Sequence, residues 1–112
     1  MTSEIGVELD VAVLRAIGWE YVNYVKKIWR TPTNEFVHVS SFSNITNGHE
    51  ALRLCGPWLR EHTLRWGISQ TNDGKTYAFG AVKHWAAHVN DVDGIGKAIC
   101  DLVLAVAERE GT

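Results

Sequence analysis

Cysteine is scarce in this chain, and its two copies lie far apart. Cys55 and Cys100 are the only cysteines among 112 residues, and each has apolar neighbours. Neither belongs to a CxxC pair or a His/Cys cluster, so the pattern fits neither a zinc ribbon nor a disulfide-stapled secreted domain. We therefore expect two buried, reduced thiols and a reducing, cytoplasmic compartment.

Long apolar runs are also absent. No stretch approaches the ~18 consecutive apolar residues of a membrane helix, and residues 1–6 contain no basic region that leads into an apolar segment. The hydrophobic content is 46% and the charged content 21%, as in an ordinary globular domain. These features predict one soluble domain over residues 1–112, with no membrane as a partner.

The sequence has no excess of positive charge. Thirteen acidic and eleven basic residues give a formal net charge of −2, and the basic residues are dispersed apart from Lys26, Lys27 and Arg30. Proteins that bind duplex DNA through its phosphates present a broad basic surface. The balance argues against duplex nucleic acid as a partner, although a small anion could still bind locally.

Motifs for cofactors and catalysis are missing as well. The chain has no GxxxxGK[ST] phosphate loop, no Rossmann glycine pattern and no GxSxG elbow. His84 and His88 have the spacing of a helical metal pair, but in a strand their positions would lie about 13 Å apart. Asp91, Asp93 and Gly94 lack the acidic twelfth position of a calcium loop. We expect no enzyme, metal or cofactor, and keep a small hydrolase using His84 and a serine as an alternative.

Helical periodicity marks both ends of the chain. Apolar residues recur at helical spacing from Val7 to Ile17, and Gly18 supplies a C-terminal stop. The helix that starts near Ile95 is apolar on most sides, so either the sheet and another helix cover it or it helps to bury a subunit interface. A middle helix should start within Ser40–Asn47, where short polar side chains favour a cap. It should be kinked or broken at Gly56-Pro57.

Strand patterns fill the segments between the helices. Tyr21–Arg30 is a single β-rich run, and the turn residues Thr31–Glu35 lead to a second run at Phe36–Val39, which together predict a hairpin. An irregular excursion is the competing interpretation. Thr63–Gln70 alternates in polarity, with Leu64, Trp66 and Ile68 on one predicted face.

A hairpin in the second half of the chain is the clearest local signal. Thr71–Lys75 contains the Asn-Asp-Gly sequence that primed turns favour. The returning strand is Thr76–Val82, which could extend to Val89. The element order predicts an α+β fold in which an antiparallel sheet is packed with helices.

The lead into the middle helix is the best candidate for an anion site. A helix that begins within Ser40–Asn44 would direct unpaired backbone N–H groups and several hydroxyls to one point. Any helix has such an N-terminus, and cap and turn roles explain the same serines. Trp29 and Trp85 have charged or polar neighbours and are candidates for stacking or an interface, whereas Trp19, Trp58 and Trp66 fit a core.

Three segments resemble the phage ABA sandwich domain family. They are Leu9–Trp19, which is similar to an opening helix that ends on Gly-Trp, Phe42–Ile45, which is similar to the lead into the middle helix, and Gly96–Ala105, which resembles a final Ala-Ile-Cys helix. Gly56-Pro57 and the stretch Tyr21–Val39 depart from the family pattern. The resemblance implies a helix-sheet-helix sandwich encoded by a phage. By analogy with other small phage proteins it also implies a role against host defence.

These observations predict a homo-oligomeric binding protein that sequesters a small anionic, nucleotide-like signalling molecule without converting it. The alternative is a protein-protein interaction module that inhibits a host protein through exposed tryptophans and the last helix. Helix N–H groups would hold phosphate and an aromatic ring would stack on the base. The candidate ligand-binding residues are Ser41, Phe42, Ser43, Asn44, Arg65, His84 and Trp85.

Overall fold

The structure is a computed structural model that describes residues 5–23, 26–39, 48–92 and 94–111. Helices and strands alternate in blocks along this part of the chain. In chain order they are α1 (Ile5–Ala16), β1 (Glu20–Asn23), β2 (Ile28–Arg30), β3 (Phe36–His38), α2 (Gly48–His62), β4 (Arg65–Gln70), β5 (Thr76–Ala81), β6 (Ala86–Val92) and α3 (Ile95–Gly111).

The first helix ends as its sequence predicts. Gly18 adopts φ +92°, a left-handed conformation that glycine reaches without a Cβ clash. Its N–H donates to the carbonyl of Arg15 at 3.0 Å, and the N–H of Trp19 donates to the carbonyl of Leu14 at 2.9 Å. These bonds satisfy carbonyls at the helix end, which confirms Gly18 as the stop.

The predicted single strand Tyr21–Arg30 is wrong, because the chain reverses within it. β1 pairs antiparallel with β2, and Tyr21 lies opposite Trp29. The side-chain oxygen of Asn23, at the end of β1, accepts a hydrogen bond from the N–H of Lys26 at 3.0 Å, and Lys27 has φ +54°. The sequence of this reversal contains neither glycine nor proline.

The hairpin predicted around Thr31–Glu35 is confirmed. β2 pairs antiparallel with β3, and Asn34, at φ +69°, donates its N–H to the carbonyl of Thr31 at 2.9 Å. The three strands form the smaller sheet, in the order β1-β2-β3. Trp29 is only 2% exposed and its ring stacks on Tyr21 at 4.2 Å, so this tryptophan belongs to the core.

The larger sheet has the order β4-β5-β6, and its first hairpin is the predicted one. Gly74 takes φ +84° in the turn. The predicted continuation of the returning strand to Val89 is wrong: the chain turns at Lys83-His84, where the N–H of Val82 donates to the carbonyl of Trp85 at 2.8 Å, and returns as β6. Leu64, assigned to the buried face, precedes β4 and is 76% exposed.

The larger sheet has two distinct faces. In the strand register, Trp66, Gly80 and Ala87 form one cross-strand row, and Ile68, Ala78 and Val89 form the next row on the same side. Ala78, Gly80, Ala87 and Val89 are buried, so this is the inner face. The outer face carries Arg65, Phe79 and His88, all exposed.

Gly56-Pro57 was predicted to kink or break the middle helix, and the break is wrong, since α2 continues through Pro57. Proline removes only one helical hydrogen bond, to the carbonyl of Arg53, and Pro57 itself is exposed. Ala51, Cys55 and Leu59 on the opposite side are fully buried, and this packing holds the helix together. The predicted start within Ser40–Asn47 lies outside the described residues.

α3 lies at the centre of the domain. It packs against α1, α2 and all three strands of the larger sheet, which cover its broad apolar surface. This agrees with the prediction that the sheet and another helix cover the last helix. Six of its side chains are fully buried: Ala98, Ile99, Cys100, Leu102, Val103 and Val106. The α+β class is confirmed, with two antiparallel sheets in the described ranges instead of one. No helix within those ranges is long and apolar enough to cross a membrane.

Candidate ligand-binding site

The candidate residues predicted from the sequence fall in three places. Ser41, Phe42, Ser43 and Asn44 lie outside the described residues, as does the helix start predicted there. Arg65 begins β4 on the outer face of the larger sheet, opposite Ala81. His84 and Trp85 lie in the turn between β5 and β6.

Arg65 and Trp85 do not share a surface. Arg65, Ala81 and Ala86 occupy one cross-strand row on the outer face. Trp85 precedes Ala86 and packs on the hydrophobic core, on the side where α3 lies. The register thus assigns Arg65 to the outer face, whereas Trp85 packs toward α3.

Trp85 has a cationic neighbour on α3. The guanidinium carbon of Arg109 lies 4.8 Å from the centroid of the Trp85 ring. A guanidinium over an indole gains a cation–π attraction, and its planar fork is suited to two parallel bonds with a carboxylate or phosphate. Trp85 thus helps to position Arg109 near the end of α3.

Next to this pair is a cleft between β6 and α3, called here the β6–α3 cleft. Its volume is about 350 Å³, and its lining consists of Ala86, Ala87, His88, Ala105, Glu108 and Arg109. Three of the six are alanines, so short side chains leave space between strand and helix. β6 is an outer strand of its sheet within the described ranges, and every second backbone N–H of such a strand points away from the ladder.

One lysine and two histidines lie close to this cleft along the chain. Lys83 and His84 are exposed in the turn that leads into Trp85, and His88 lines the cleft from β6. Among the described residues that line the cleft, Glu108 is the one acidic side chain, and it directly precedes Arg109 in the sequence. This end of the domain therefore has the charge and the aromatic surface that an anionic aromatic ligand requires.

The cysteines do not extend the chemistry of this site. Both are free and buried, as predicted. Burial raises the pKa of the Cys55 thiol from 9.0 to about 12, with a smaller contribution from Asp10, and burial likewise raises the pKa of Cys100. Such thiols stay protonated at neutral pH and are poor nucleophiles. No group of three or more His, Cys, Asp or Glu side chains positioned for a metal occurs in the described part of the chain.

A second concave surface, the tryptophan groove, lies between α2 and the turn joining β2 to β3. Its volume is about 440 Å³. The residues that characterise it are Trp19, Pro32, Glu35, Pro57, Trp58 and Glu61. Trp19 and Trp58 were assigned to the core from their sequence patterns, but both are half-buried and present part of their surface to the groove.

Arg109 is the important residue that sequence reasoning missed. It lies 24 positions beyond Trp85, and no local pattern connects the two. A cation in the last turn of a helix was visible in the sequence, but it reads equally as a favourable interaction with the helix dipole. His88 was considered as a metal partner of His84, and the strand expected to run through both residues argued against that pairing.

Compared with models of protein families, with curated proteins and with solved structures, the chain matches none of them. The resemblance of three segments to the phage ABA sandwich family therefore stays a prediction.

Proposed function

We propose that this protein is a non-catalytic binding protein that captures a small anionic, nucleotide-like molecule in the β6–α3 cleft. The observation that carries the proposal is the position of Arg109, 4.8 Å above the Trp85 ring and at the edge of the cleft. A positive charge held on an aromatic surface beside an open cavity is the combination that an anion with an attached ring requires.

The size of the cleft supports this class of ligand. Small-molecule sites commonly enclose roughly 300–1,000 Å³, and the cleft has about 350 Å³. The methyl groups of Ala87 and Ala105 add apolar surface to the lining, and outward backbone N–H groups of β6 could donate to ring or phosphate oxygens. The cavity is suited to a single nucleotide unit.

Capture would follow from charge pairing and exclusion of water. The guanidinium of Arg109 would form paired hydrogen bonds with a phosphate, while Lys83 would strengthen the local attraction for anions. Glu108 would repel a phosphate placed deeper along α3 and so keep the anion at the Trp85 end. Binding in this scheme requires no nucleophile and no proton transfer.

The biological role we propose is sequestration of a host antiviral signal by a phage protein acting as a homo-oligomer. The role rests on the resemblance of three short sequence segments to the phage family. Leu64 is 76% exposed, and an apolar side chain of this kind could be covered between copies of the chain.

A titration of two arginine variants tests the proposal. Binding of a panel of linear and cyclic nucleotides would be measured by calorimetry for the wild type, Arg109→Ala and Arg60→Ala, the last being an exposed arginine on α2. We expect Arg109→Ala to weaken binding about tenfold or more, because a charged hydrogen bond is worth about 1.5–3 kcal/mol. Arg60→Ala should bind normally.

Either of two results would reject this site. Binding by Arg109→Ala equal to that of the wild type removes Arg109 and the cleft, and a wild type that ignores the whole panel removes the ligand class. The double variant Ser43→Ala/Asn44→Ala decides separately whether the lead into α2 contributes.

A further inference from the structure

The tryptophan groove has properties opposite to those of the β6–α3 cleft. Its floor is apolar, with Ile17, Val37 and Leu54 contributing to the lining. Trp19, just after α1, and Trp58, on α2, are its two aromatic residues. Indole rings combine a large apolar face with one N–H donor, which suits a ligand that is apolar but carries backbone carbonyls.

Trp58 is held in a fixed orientation. Its ring stacks on the ring of His62, with centroids 4.1 Å apart and planes 18° from parallel. The Nδ1 of His62 in turn lies 2.8 Å from a carboxylate oxygen of Glu110 on α3. A ring fixed by two neighbouring helices loses little freedom when a ligand packs against it, and this lowers the cost of binding.

The charges at the rim of the groove are predominantly acidic. Among the described residues that line the groove, Glu35 and Glu61 contribute two carboxylates and Arg53 contributes the one cation. The guanidinium of Arg53 is already paired with Glu50, one turn earlier on α2. The rim would therefore repel an anion and attract a basic side chain.

The two prolines of the groove favour a proline-rich peptide as the ligand. Pro32 and Pro57 lie on the two opposite walls, the β2–β3 turn and α2, and add flat apolar surface beside the indoles. Aromatic-lined grooves of this kind accept polyproline II segments, whose extended backbone has no internal hydrogen bonds and offers its carbonyls to indole N–H donors.

We propose that the tryptophan groove is a docking site for a proline-rich segment of a partner protein that carries Lys or Arg beside its prolines. The prolines pack between Trp19 and Trp58, and the basic side chain pairs with Glu35 or Glu61. This inference does not depend on ligand binding at the β6–α3 cleft, which lies on other elements.

Labelled synthetic peptides test the proposal by fluorescence anisotropy. The probe is a ten-residue peptide of two Pro-Pro-Arg-Pro-Pro units, compared with a twin in which Glu replaces Arg and a twin in which Ala replaces Pro. The arginine-proline peptide should bind with a Kd of about 10–100 μM, and each twin at least about tenfold more weakly. No binding of the first peptide at about 1 mM, or equal binding of a twin, overturns the proposal.

Protein variants locate the peptide on the groove. The double variant Glu35→Gln/Glu61→Gln keeps hydrogen-bonding side chains, including the acceptor that Thr33 uses at 3.1 Å on Glu35, and should weaken the peptide about fivefold to tenfold. Trp58→Ala should abolish measurable binding, with circular dichroism to check the fold. Arg109→Ala is the matched control on the other cleft and should bind the peptide normally. Wild-type affinity in the double Gln variant would overturn the assignment even if Trp58→Ala fails to fold.

Discussion

The two sheets are attached to the core in different ways. The inner face of the larger sheet presents small residues to α3, among them Ala78, Gly80 and Ala87. The sheet is therefore attached to the core through many short contacts. In the smaller sheet Trp29 is the one buried residue within the described strands. In the larger sheet a single substitution should therefore remove only a small part of the packing. In the smaller sheet the packing depends on the ring of Trp29.

This difference also separates the two candidate binding surfaces. The β6–α3 cleft lies between the larger sheet and the central helix, and these elements carry half of the buried hydrophobic residues. One wall of the tryptophan groove is the β2–β3 turn of the smaller sheet. We therefore expect changes in the smaller sheet to affect the tryptophan groove more than the cleft.

The largest effect should come from Trp29→Ala. The ring is 2% exposed and stacks on Tyr21, and removing a buried tryptophan costs about 3–5 kcal/mol of the free energy of unfolding. Urea unfolding followed by circular dichroism would measure the loss. Phe36→Ala is the control in the same sheet, since Phe36 is 67% exposed and its loss should change stability by less than about 0.5 kcal/mol. Similar costs for the two variants would remove the contrast between the sheets.

An intermediate effect is expected from Gly80→Ala in the larger sheet. The added Cβ would lie 3.2 Å from Cγ2 of Thr63 and 3.4 Å from Cδ1 of Leu102, so the packing against α3 must shift, at a cost of about 1–3 kcal/mol. On the outer face, the Cβ of Gly67→Ala would meet the ring of Phe79 at 2.8 Å. That ring is 37% exposed and can move aside, so thermal unfolding should show a smaller loss for Gly67→Ala. A larger loss of stability for Gly67→Ala than for Gly80→Ala would contradict the assignment of the inner and outer faces.

The smallest effect is a loss of stability in alkali. The thiol pKa of Cys55 is about 12 in the folded state and 9.0 ordinarily, so the unfolded chain releases the proton first. The contribution is complete below pH 9.0 and is lost as pH rises toward about 12. One unit above the ordinary value, the cost from Cys55 is about 1 kcal/mol. Chemical unfolding at several pH values, compared with Cys55→Ala, measures it; an identical alkaline slope in the two proteins would contradict a buried, protonated thiol.

Local signals in the sequence predicted several elements correctly. The stop at Gly18 and the Asn-Asp-Gly turn depend on neighbouring residues alone, and the structure confirms both. The two missed reversals, near Lys27 and at Lys83-His84, lack glycine and proline, so hydrophobic patterns continue through them as if through one strand. Pro57 was overvalued as a helix breaker because the packing of the opposite helix face cannot be read from the sequence.

The candidate site was only partly predictable for a related reason. Trp85 and His84 were identified from their polar surroundings, which is a local property. The pairing of Trp85 with Arg109 requires α3 to lie against β6, and the separation of Arg65 from Trp85 requires the register of three strands. Both follow from tertiary packing, which a single sequence does not encode in any local pattern.

The central claim, that the β6–α3 cleft binds an anionic nucleotide-like ligand, is tested most directly by the indole N–H signals of the five tryptophans in a proton–nitrogen NMR titration. Tryptophan variants would assign the signals, and nucleotides would be added up to about 1 mM. We predict that the Trp85 signal shifts progressively while those of Trp19 and Trp58 stay in place. A bound nucleotide that leaves Trp85 unchanged, or that shifts Trp19 and Trp58 instead, would contradict the claim.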